Sequence, residues 1–283
     1  MPYKDLLFAV LTYPDTTPEA ALRGGAGLAR RLGGEATALV LHVDIPTLHN
    51  RLANLVGGFN KLAAEEEARS AARAQEAAAA FARAGAEVGL TVHTEIEKAP
   101  LYEEGERVCA HARTRDLTLM PIGPAVLEDR GIAEAVLFGS GRPLVVFPEA
   151  GCCGEEGESF KAAAIAWDGS ARAARAVADA LPALKRAGEV RILAVTGEKP
   201  SVRAGGTADL VRHLKTHGIE AVVDEIDARG APIGRVVGDY VGERWIELLV
   251  MGGFGHSRAR EFVLGGATAA MLDAPPCAVL LSH

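Results

Sequence analysis

The sequence of 283 residues has few of the features that mark several protein classes. Its four cysteines are too few for a disulfide scaffold in a chain of this length. No apolar run approaches the roughly 18 residues needed to span a membrane, and the first residues lack the cleavage-site pattern of a signal peptide. The formal net charge of −7 lacks the basic excess of a general nucleic-acid binder. These absences predict a cytoplasmic protein that binds neither membranes nor nucleic acid.

Several motifs of catalysis and metal binding are also missing. The sequence has no Gly-x-x-x-x-Gly-Lys-Ser/Thr loop, no His-Glu-x-x-His and no Cys-x-x-Cys. Cys152 and Cys153 are adjacent, but a pair without a nearby histidine is more often incidental than a metal or redox site. Spacing alone assembles no nucleophile, base and orienting group. We therefore predict no dedicated enzyme and no metal site in the chain.

What is present is the composition of a globular protein, with 49% hydrophobic and 24% charged residues. The chain length favours about two domains. An apolar run over residues 143–148 is followed by a glycine-rich, acidic stretch, and a new apolar run starts at Phe160. We therefore predict domains over 1–150 and 160–283, joined by a linker over 151–159.

The two halves repeat one order of elements, in which strands alternate with helices. In the first half we predict strands over 6–11, 36–43, 88–96, 117–122 and 144–147, and helices over 18–32, 61–84 and 102–114. In the second half we predict strands over 162–167, 190–195, 219–226, 248–251 and 278–281, and helices over 170–187, 206–217, 233–243 and 266–273. This alternation predicts a parallel sheet with helices on both faces in each half.

Residues 250–268 carry the strongest chemical signal, with glycines at 252, 253, 255, 265 and 266. The first group follows a predicted strand, and ligands of open parallel sheets bind beyond the carboxyl ends of the strands. The second group opens a helix, where free N–H groups and the helix dipole favour phosphate. Two such elements can bind a polyphosphate between them. The alternative is that these glycines only make turns.

The pattern Met251-Gly252-x-x-Gly255, nine residues, Gly265 resembles the nucleotide-binding motif of the universal stress proteins. In that family the motif ends on Ser or Thr, whereas Gly266 stands here, with Thr268 two residues later. The order of elements in both halves is similar to the family as well. The resemblance implies two tandem universal-stress-protein-like domains of the adenine nucleotide alpha hydrolase-like type, each a five-stranded parallel sheet with helices on both faces.

The resemblance implies a site for ATP, or for ADP or AMP, with Mg²⁺, in the second half. Asp168 would face the ribose or adenine, and the backbone of Val195 would face the adenine. His256 is a candidate for reaching the phosphates, and Thr268 for replacing the missing hydroxyl. The complete candidate site comprises Asp168, Val195, Met251, Gly252, Gly255, His256, Gly265, Gly266 and Thr268. Asp168 also has a structural interpretation, because Asp-Gly-Ser before a helix is a good turn and N-cap sequence.

The first half lacks the motif. Gly123 aligns with Gly252, but Pro-Ala-Val follows it, and Thr12 stands where Asp168 stands in the second half. We therefore predict that the first half binds no nucleotide in the manner of the family and acts as a packing partner. Its segment 47–84 either contacts another subunit or covers a pocket. The simpler alternative, which the pattern favours, is an amphipathic helix packed on its own sheet.

The sequence thus predicts a stress-response regulator that binds an adenine nucleotide in its second half. The resemblance also implies that the two halves pack as a pseudo-dimer, and that two chains can form a homodimer. Two alternatives remain open. One is a nucleotide-free interaction or scaffold protein with a vestigial glycine loop, which Gly266 and the altered first half favour. The other is a slow ATP hydrolase, for which the sequence offers no identifiable base.

Overall fold

The computed structural model describes residues 2–46, 59–123, 127–150, 157–197, 206–253, 255–258 and 261–283. For residues 127, 128, 255–258 and 261–264 it describes the backbone only. The pair Cys152 and Cys153 lies outside the described residues, as do the leucines of segment 47–58. The other two cysteines, Cys109 and Cys277, are buried. No helix in the described part of the chain is long and apolar enough to cross a membrane.

The first half alternates strands and helices along the chain. Its elements are β1 (Asp5–Leu11), α1 (Glu19–Leu32), β2 (Glu35–Asp44), α2 (Phe59–Glu87), β3 (Val92–Pro100), α3 (Glu104–Ala112), β4 (Leu117–Ile122), α4 (Leu127–Gly139) and β5 (Leu144–Pro148). The second half repeats this order and adds a hairpin of two short strands. Its elements are β6 (Ala162–Ala166), α5 (Ala171–Leu184), β7 (Glu189–Thr196), α6 (Thr207–Thr216), β8 (Ala221–Asp227), α7 (Ile233–Glu243), β9 (Leu248–Gly252), β10 (Gly255–Arg258), β11 (Glu261–Leu264), α8 (Gly266–Asp273) and β12 (Ala278–Ser282).

The main strands form one ten-stranded sheet in the order β3-β2-β1-β4-β5-β12-β9-β6-β7-β8. Each half contributes five strands that pair in parallel, as the sequence predicts. The halves meet where β5 pairs antiparallel with β12, with Val146 opposite Val279. Because this one pairing is antiparallel, the carboxyl ends of the strands point to opposite edges of the sheet in the two halves.

The alternation of side chains along the strands divides the core into two layers. Leu6, Phe8 and Val10 of β1 point into a cluster that also takes residues from α1, α2, α5 and α6. Leu7 and Ala9 point the other way, into a cluster with α3, α4, α7 and α8. Each cluster contains residues of both halves, so the halves share their core on both faces of the sheet. Burial of this apolar surface is the main stabilising contribution.

Polar contacts add to the seam between the halves. Arg31 of α1 forms a buried ion pair with Glu247, the residue before β9, and its guanidinium lies 4.3 Å from the ring centre of Phe160. On the other face, the Nη1 atom of Arg130 on α4 lies 2.5 Å from the Oδ1 atom of Asp273 on α8. These two pairs, one buried and one partly exposed, link α1 and α4 of the first half to the second half.

Beyond shifts of a few residues at element ends, three elements differ most from the predicted ones. Helix α4 was not predicted, because its glycines and its short apolar run hide the helical period. The β10–β11 hairpin lies where only a glycine loop was expected. The third strand begins at Val92 rather than at residue 88, because α2 continues through Gly85 to Glu87. A β carbon at Gly85 would lie 2.3 Å from a methyl group of Val92, so this glycine lets the helix and the strand approach each other.

Two glycines of α1 offer a matched test of this kind of close packing. A β carbon at Gly25 would lie 2.1 Å from the ring of Phe8, whereas one at Gly27 would meet nothing within 4 Å. We expect Gly25→Ala to lower the free energy of unfolding by about 1–3 kcal/mol through overpacking. Gly27→Ala should raise it by about 0.5–1 kcal/mol, since alanine favours the helix. Urea denaturation of both variants measures this, and equal effects would contradict the packing of α1 on β1.

Candidate functional site

The predicted site residues of the second half meet at the carboxyl edge of its strands. Strand β6 lies between β7 and β9, and Ala166 at its end is level with Leu193 and Met251. The chain leaves β6 in one direction to build β7 and returns on the other side to build β9. In a parallel sheet this is the switch point, where a crevice for ligands forms. Asp168 follows β6 and Gly252 ends β9, so the two come to the same edge of the sheet at this switch point.

Asp168 lies in the turn that leads from β6 into α5. Its Oδ1 atom accepts a hydrogen bond of 2.9 Å from the backbone N–H of Ser170. The hydroxyl of Ser170, in turn, accepts one of 3.1 Å from the N–H of Ala173 and caps the helix. The cap is thus Ser170, while Asp168 shapes the turn, in which Gly169 has a φ of +73°. The side chain of Asp168 remains exposed, so its turn hydrogen bond leaves it accessible to a ligand.

Gly252 is a glycine because a helix end lies against it. A β carbon there would lie 2.7 Å from the backbone nitrogen of Ala173 and 2.9 Å from the β carbon of Arg172. Both atoms belong to the first turn of α5, where backbone N–H groups lack partners within the helix. The carboxyl end of β9 therefore contacts the positive end of α5, and any side chain would force the two apart.

The hairpin brings the separated glycines of the motif together. Gly255 opens β10 and pairs with Leu264 at the end of β11, so the two described strands bring the ends of this segment together. Gly265 follows directly and is the N-cap of α8, and Gly266 is the first residue of that helix. Gly266 is exposed, and a β carbon there would meet nothing within 4 Å. The hairpin thus places Gly255 beside the N-terminus of α8, where the exposed Gly266 leaves the backbone accessible.

The remaining predicted site residues are less accessible or lie outside the described side chains. Met251 is buried, and Val195 is partly buried in the core, so each can offer a ligand its backbone rather than its side chain. Thr268 is only 1% exposed, which keeps its hydroxyl inside the protein. His256 lies on β10, where the backbone alone is described. Its contact with phosphate stays a prediction.

Two basic residues at this edge were not predicted. Arg172 occupies the first turn of α5 beside Gly252, and His283 follows β12 directly. Burial, and then the charge of Arg172, lower the pKa of the His283 imidazole below its usual range. The sequence shows that Arg172 and His283 each follow a predicted strand. It does not show that the two lie close together, because their proximity depends on the pairing of β12 with β9.

The corresponding edge of the first half is built differently. Thr12 is 1% exposed, and its hydroxyl donates to the Leu41 carbonyl at 2.8 Å and lies 2.7 Å from the Ser70 hydroxyl. Ser70 belongs to α2 and accepts a hydrogen bond of 3.0 Å from the Val43 N–H. These buried contacts take the place of the exposed carboxylate that the second half presents.

A cleft of about 50 Å³ lies next to Thr12, at the ends of β1 and β4. Asp15, Asp129 and Glu149 contribute carboxylates to its lining. Asp129 accepts a hydrogen bond of 3.3 Å from the Gly123 N–H. Burial, and then the charge of Asp15, raise the pKa of Glu149. This cleft is acidic, whereas the edge of the second half presents Arg172 and His283.

No protein-family model and no curated protein matches the sequence significantly, but solved structures match its fold along nearly the whole chain. A universal stress protein from Archaeoglobus fulgidus DSM 4304 aligns with 98% of this chain and 97% of its own, with a TM-score of 0.68 and 18% identity. The chain has the universal stress protein fold. The resemblance that the glycine motif implied is therefore confirmed at the level of the fold, including the α/β class.

Two further structures share this universal stress protein fold at lower similarity. A functionally unknown protein from Pseudomonas aeruginosa PAO1 covers 99% of this chain and 92% of its own, with a TM-score of 0.55 and 12% identity. A candidate universal stress protein from Pseudomonas aeruginosa UCBPP-PA14 covers 99% and 93%, with a TM-score of 0.55 and 14% identity. Such full-length matches are consistent with a tandem arrangement of the fold in one chain.

Proposed function

We propose that the protein is a tandem universal stress protein that binds an adenine nucleotide in its second half and acts as a stress-response regulator. The observation that carries this proposal is the β10–β11 pairing of Gly255 with Leu264, which returns the chain to Gly265 and the start of α8. Backbone N–H groups at a helix N-terminus bind phosphate oxygens without needing a side chain. Nucleotide binding would regulate by favouring one conformation over another.

The nucleotide we propose is ATP, with ADP and AMP as the alternatives. Asp168 would accept hydrogen bonds from the ribose or adenine, the backbone of Val195 would face the adenine, and the motif glycines would face the phosphates. The described residues contain no group of three or more metal-binding side chains that could hold an ion. The Mg²⁺ would therefore be held through the phosphates and water, which is how this ion is commonly bound.

The organisation of the chain supports further parts of the proposal, namely the division into domains and the packing of the two halves. We propose domains over 1–150 and 160–283 with a linker between them, and a pseudo-dimer of the two halves joined through β5 and β12. Their antiparallel pairing and the shared core clusters support this arrangement. A homodimer of two chains stays a prediction from the resemblance. The cytoplasmic location stays a prediction from the sequence pattern.

A second candidate function is a nucleotide-free interaction protein. Gly266 lacks the hydroxyl of the family motif, and the burial of Thr268 keeps the nearest hydroxyl that follows it inside the protein. Loss of one hydrogen-bond donor weakens binding by about 0.5–1.5 kcal/mol. A loss of this size still allows the site to bind a nucleotide. Slow ATP hydrolysis stays a prediction without a residue to serve as the base.

The experiment that tests the proposal starts from freshly purified protein. Heat-denatured protein is analysed for released nucleotide by liquid chromatography with mass detection, and stripped protein is titrated with ATP and Mg²⁺. Trp167 directly precedes Asp168 and serves as a fluorescent probe once the 84%-exposed Trp245 is replaced by Phe. We expect one nucleotide per chain and a saturable change in fluorescence. No nucleotide and no response at millimolar ATP would overturn the proposal in favour of the interaction protein.

Restoring the family hydroxyl provides a sharper test. Gly266→Ser is expected to tighten ATP binding about two- to tenfold, since it adds one hydrogen-bond donor at an open position. Gly27→Ser is the matched control, because it adds the same group at another open helical glycine, in the first half. The same titration measures both variants. Equal affinities of Gly266→Ser and the unaltered protein would count against a phosphate at the start of α8.

A further inference from the structure

The residue that follows the last strand of the second half lies beside the motif glycines. Strand β12 pairs in parallel with β9, and its last residue, Ser282, is opposite Gly252. The carbonyl of Ser282 accepts a hydrogen bond of 2.7 Å from the N–H of Gly253. The peptide that joins Ser282 to His283 is therefore tied to the glycine segment. His283 consequently leaves the sheet at the crevice where Asp168 and Gly252 lie.

A contact from the first half holds the imidazole at this position. The ring of Phe138, on α4, meets the His283 ring edge-on with 4.9 Å between the ring centres. A neighbouring residue of α4, Leu137, also packs here, because a β carbon built at Gly253 would lie 2.9 Å from its Cδ2 atom. Helix α4 thus packs against both Gly253 and His283, and an aromatic contact of this kind restricts the ring orientation.

The charges around His283 suit an anion. Arg172 is close enough for its charge to lower the pKa of the imidazole, after the larger effect of burial. A histidine with a lowered pKa is neutral at pH 7 and still has one N–H group to donate. A bound phosphate would accept that hydrogen bond and would offset the charge of Arg172. His283 exposes its side chain at this edge, so the ring is accessible to a ligand.

The first half has a carboxylate at the equivalent place. Glu149 follows β5 as His283 follows β12, and its N–H donates to the carbonyl of Ile122, the last residue of β4, at 3.0 Å. The side chain lines the acidic cleft together with Asp15 and Asp129. At the same position of the repeated fold, the first half therefore presents a carboxylate and the second half an imidazole.

We infer that the residue after the last strand determines phosphate specificity in each half. His283 donates a hydrogen bond to a phosphate of the nucleotide in the second half, with Arg172 as its charged neighbour. Glu149 repels phosphate from the corresponding cleft in the first half. The inference rests on the proposed nucleotide site and adds to it a residue that lies outside the glycine motif.

The test compares ATP with adenosine, which lacks phosphate, on the stripped full-length protein. His283→Ala should weaken ATP binding about tenfold, as the loss of a hydrogen bond to a charged group predicts, and leave adenosine binding within about twofold. His283→Gln keeps an N–H donor and should recover part of the loss. His283→Glu should weaken ATP binding further than alanine, because it places a negative charge next to the phosphates. His217→Ala is the matched control, because the His217 ring also meets another ring edge-on, that of His213, and this variant should leave ATP affinity unchanged. Glu149→Gln removes a repelling charge from the first half and should raise the ATP bound per chain at millimolar ATP. No increase would overturn the role of Glu149.

The outcomes separate this inference from the proposed function. If the unaltered protein binds neither ATP nor adenosine, the proposed function fails and this inference fails with it. If the unaltered protein binds ATP and His283→Ala binds it equally well, the proposed function stands and the role of His283 is overturned. Equal losses for ATP and adenosine would also overturn it, since they would show a structural role for the ring rather than a phosphate contact.

Discussion

Replacing Glu247 with alanine is expected to lower the free energy of unfolding by about 3–5 kcal/mol, because it removes the carboxylate that pairs with the buried charge of Arg31. Arg31 is 3% exposed and Glu247 8% exposed. The carboxylate also accepts a hydrogen bond of 2.8 Å from the Lys161 N–H, which would be lost at the same time. Arg31 comes from α1 and Glu247 lies in the second half, so the variant weakens the seam between the halves.

Chemical denaturation followed by circular dichroism measures this loss. Glu19→Ala is the matched control, because Glu19 pairs with Arg23 on the surface of α1, where both side chains are more than 60% exposed. An exposed pair contributes about 0–1 kcal/mol. The double variant Arg31→Met, Glu247→Leu should recover much of the stability, since it removes both charges and fills the space. A loss below about 1 kcal/mol for Glu247→Ala would contradict a buried pair at the seam.

Replacing Asp168 with alanine is expected to weaken ATP binding about tenfold to a hundredfold, the effect of losing a hydrogen bond to a charged group. The carboxylate lies exposed at the switch point, the edge of the sheet at which ligands of such sheets bind. Asp168→Asn keeps an oxygen that can accept the Ser170 N–H, so it should preserve the turn while removing the charge. Its ATP affinity should fall between those of the alanine variant and the unaltered protein.

Asp227 provides a close structural control for Asp168. It ends β8, and its Oδ1 atom accepts a hydrogen bond of 2.9 Å from the Arg229 N–H, the same turn at the same distance. Asp227→Ala should therefore cost similar stability and leave ATP affinity unchanged. Isothermal titration with ATP and Mg²⁺ compares the three variants. If Asp168→Ala and Asp227→Ala bind ATP equally well, Asp168 is only a turn residue, and the structural interpretation of Asp-Gly-Ser is sufficient.

Local sequence patterns predicted the elements well where they act over short distances. The predicted strand over 117–122 and the predicted helices over 233–243 and 266–273 coincide with β4, α7 and α8. Each has a clear apolar run or helical period and a recognisable end. Helix α4 escaped prediction because glycines and a short apolar run conceal its period. The β10–β11 hairpin escaped because its pairing joins residues of a stretch whose glycines favour turns.

The candidate site also combines features that the sequence predicted with contacts that only the tertiary structure shows. The glycine spacing in the sequence predicts a site at the carboxyl edge of the second half, since carboxyl ends of parallel strands share one edge. The sequence could not show that Gly252 is required by the first turn of α5, or that Thr12 is hydrogen-bonded to Ser70 of α2. These contacts join residues far apart in the chain. His283 was missed for this reason, since its neighbour Phe138 belongs to the other half.

The sequence by itself determined the class of fold, the repetition of that fold and the place of the glycine motif, because periodicity and turn residues act within a few positions of the chain. Only the tertiary structure decided that the halves share one sheet through β5 and β12, and that Arg31 pairs with Glu247. It also decided which groups lie together at the end of each half's last strand, Glu149 among carboxylates in the first half and His283 near Arg172 in the second. Those properties depend on long-range packing, which brings together side chains that no local pattern connects.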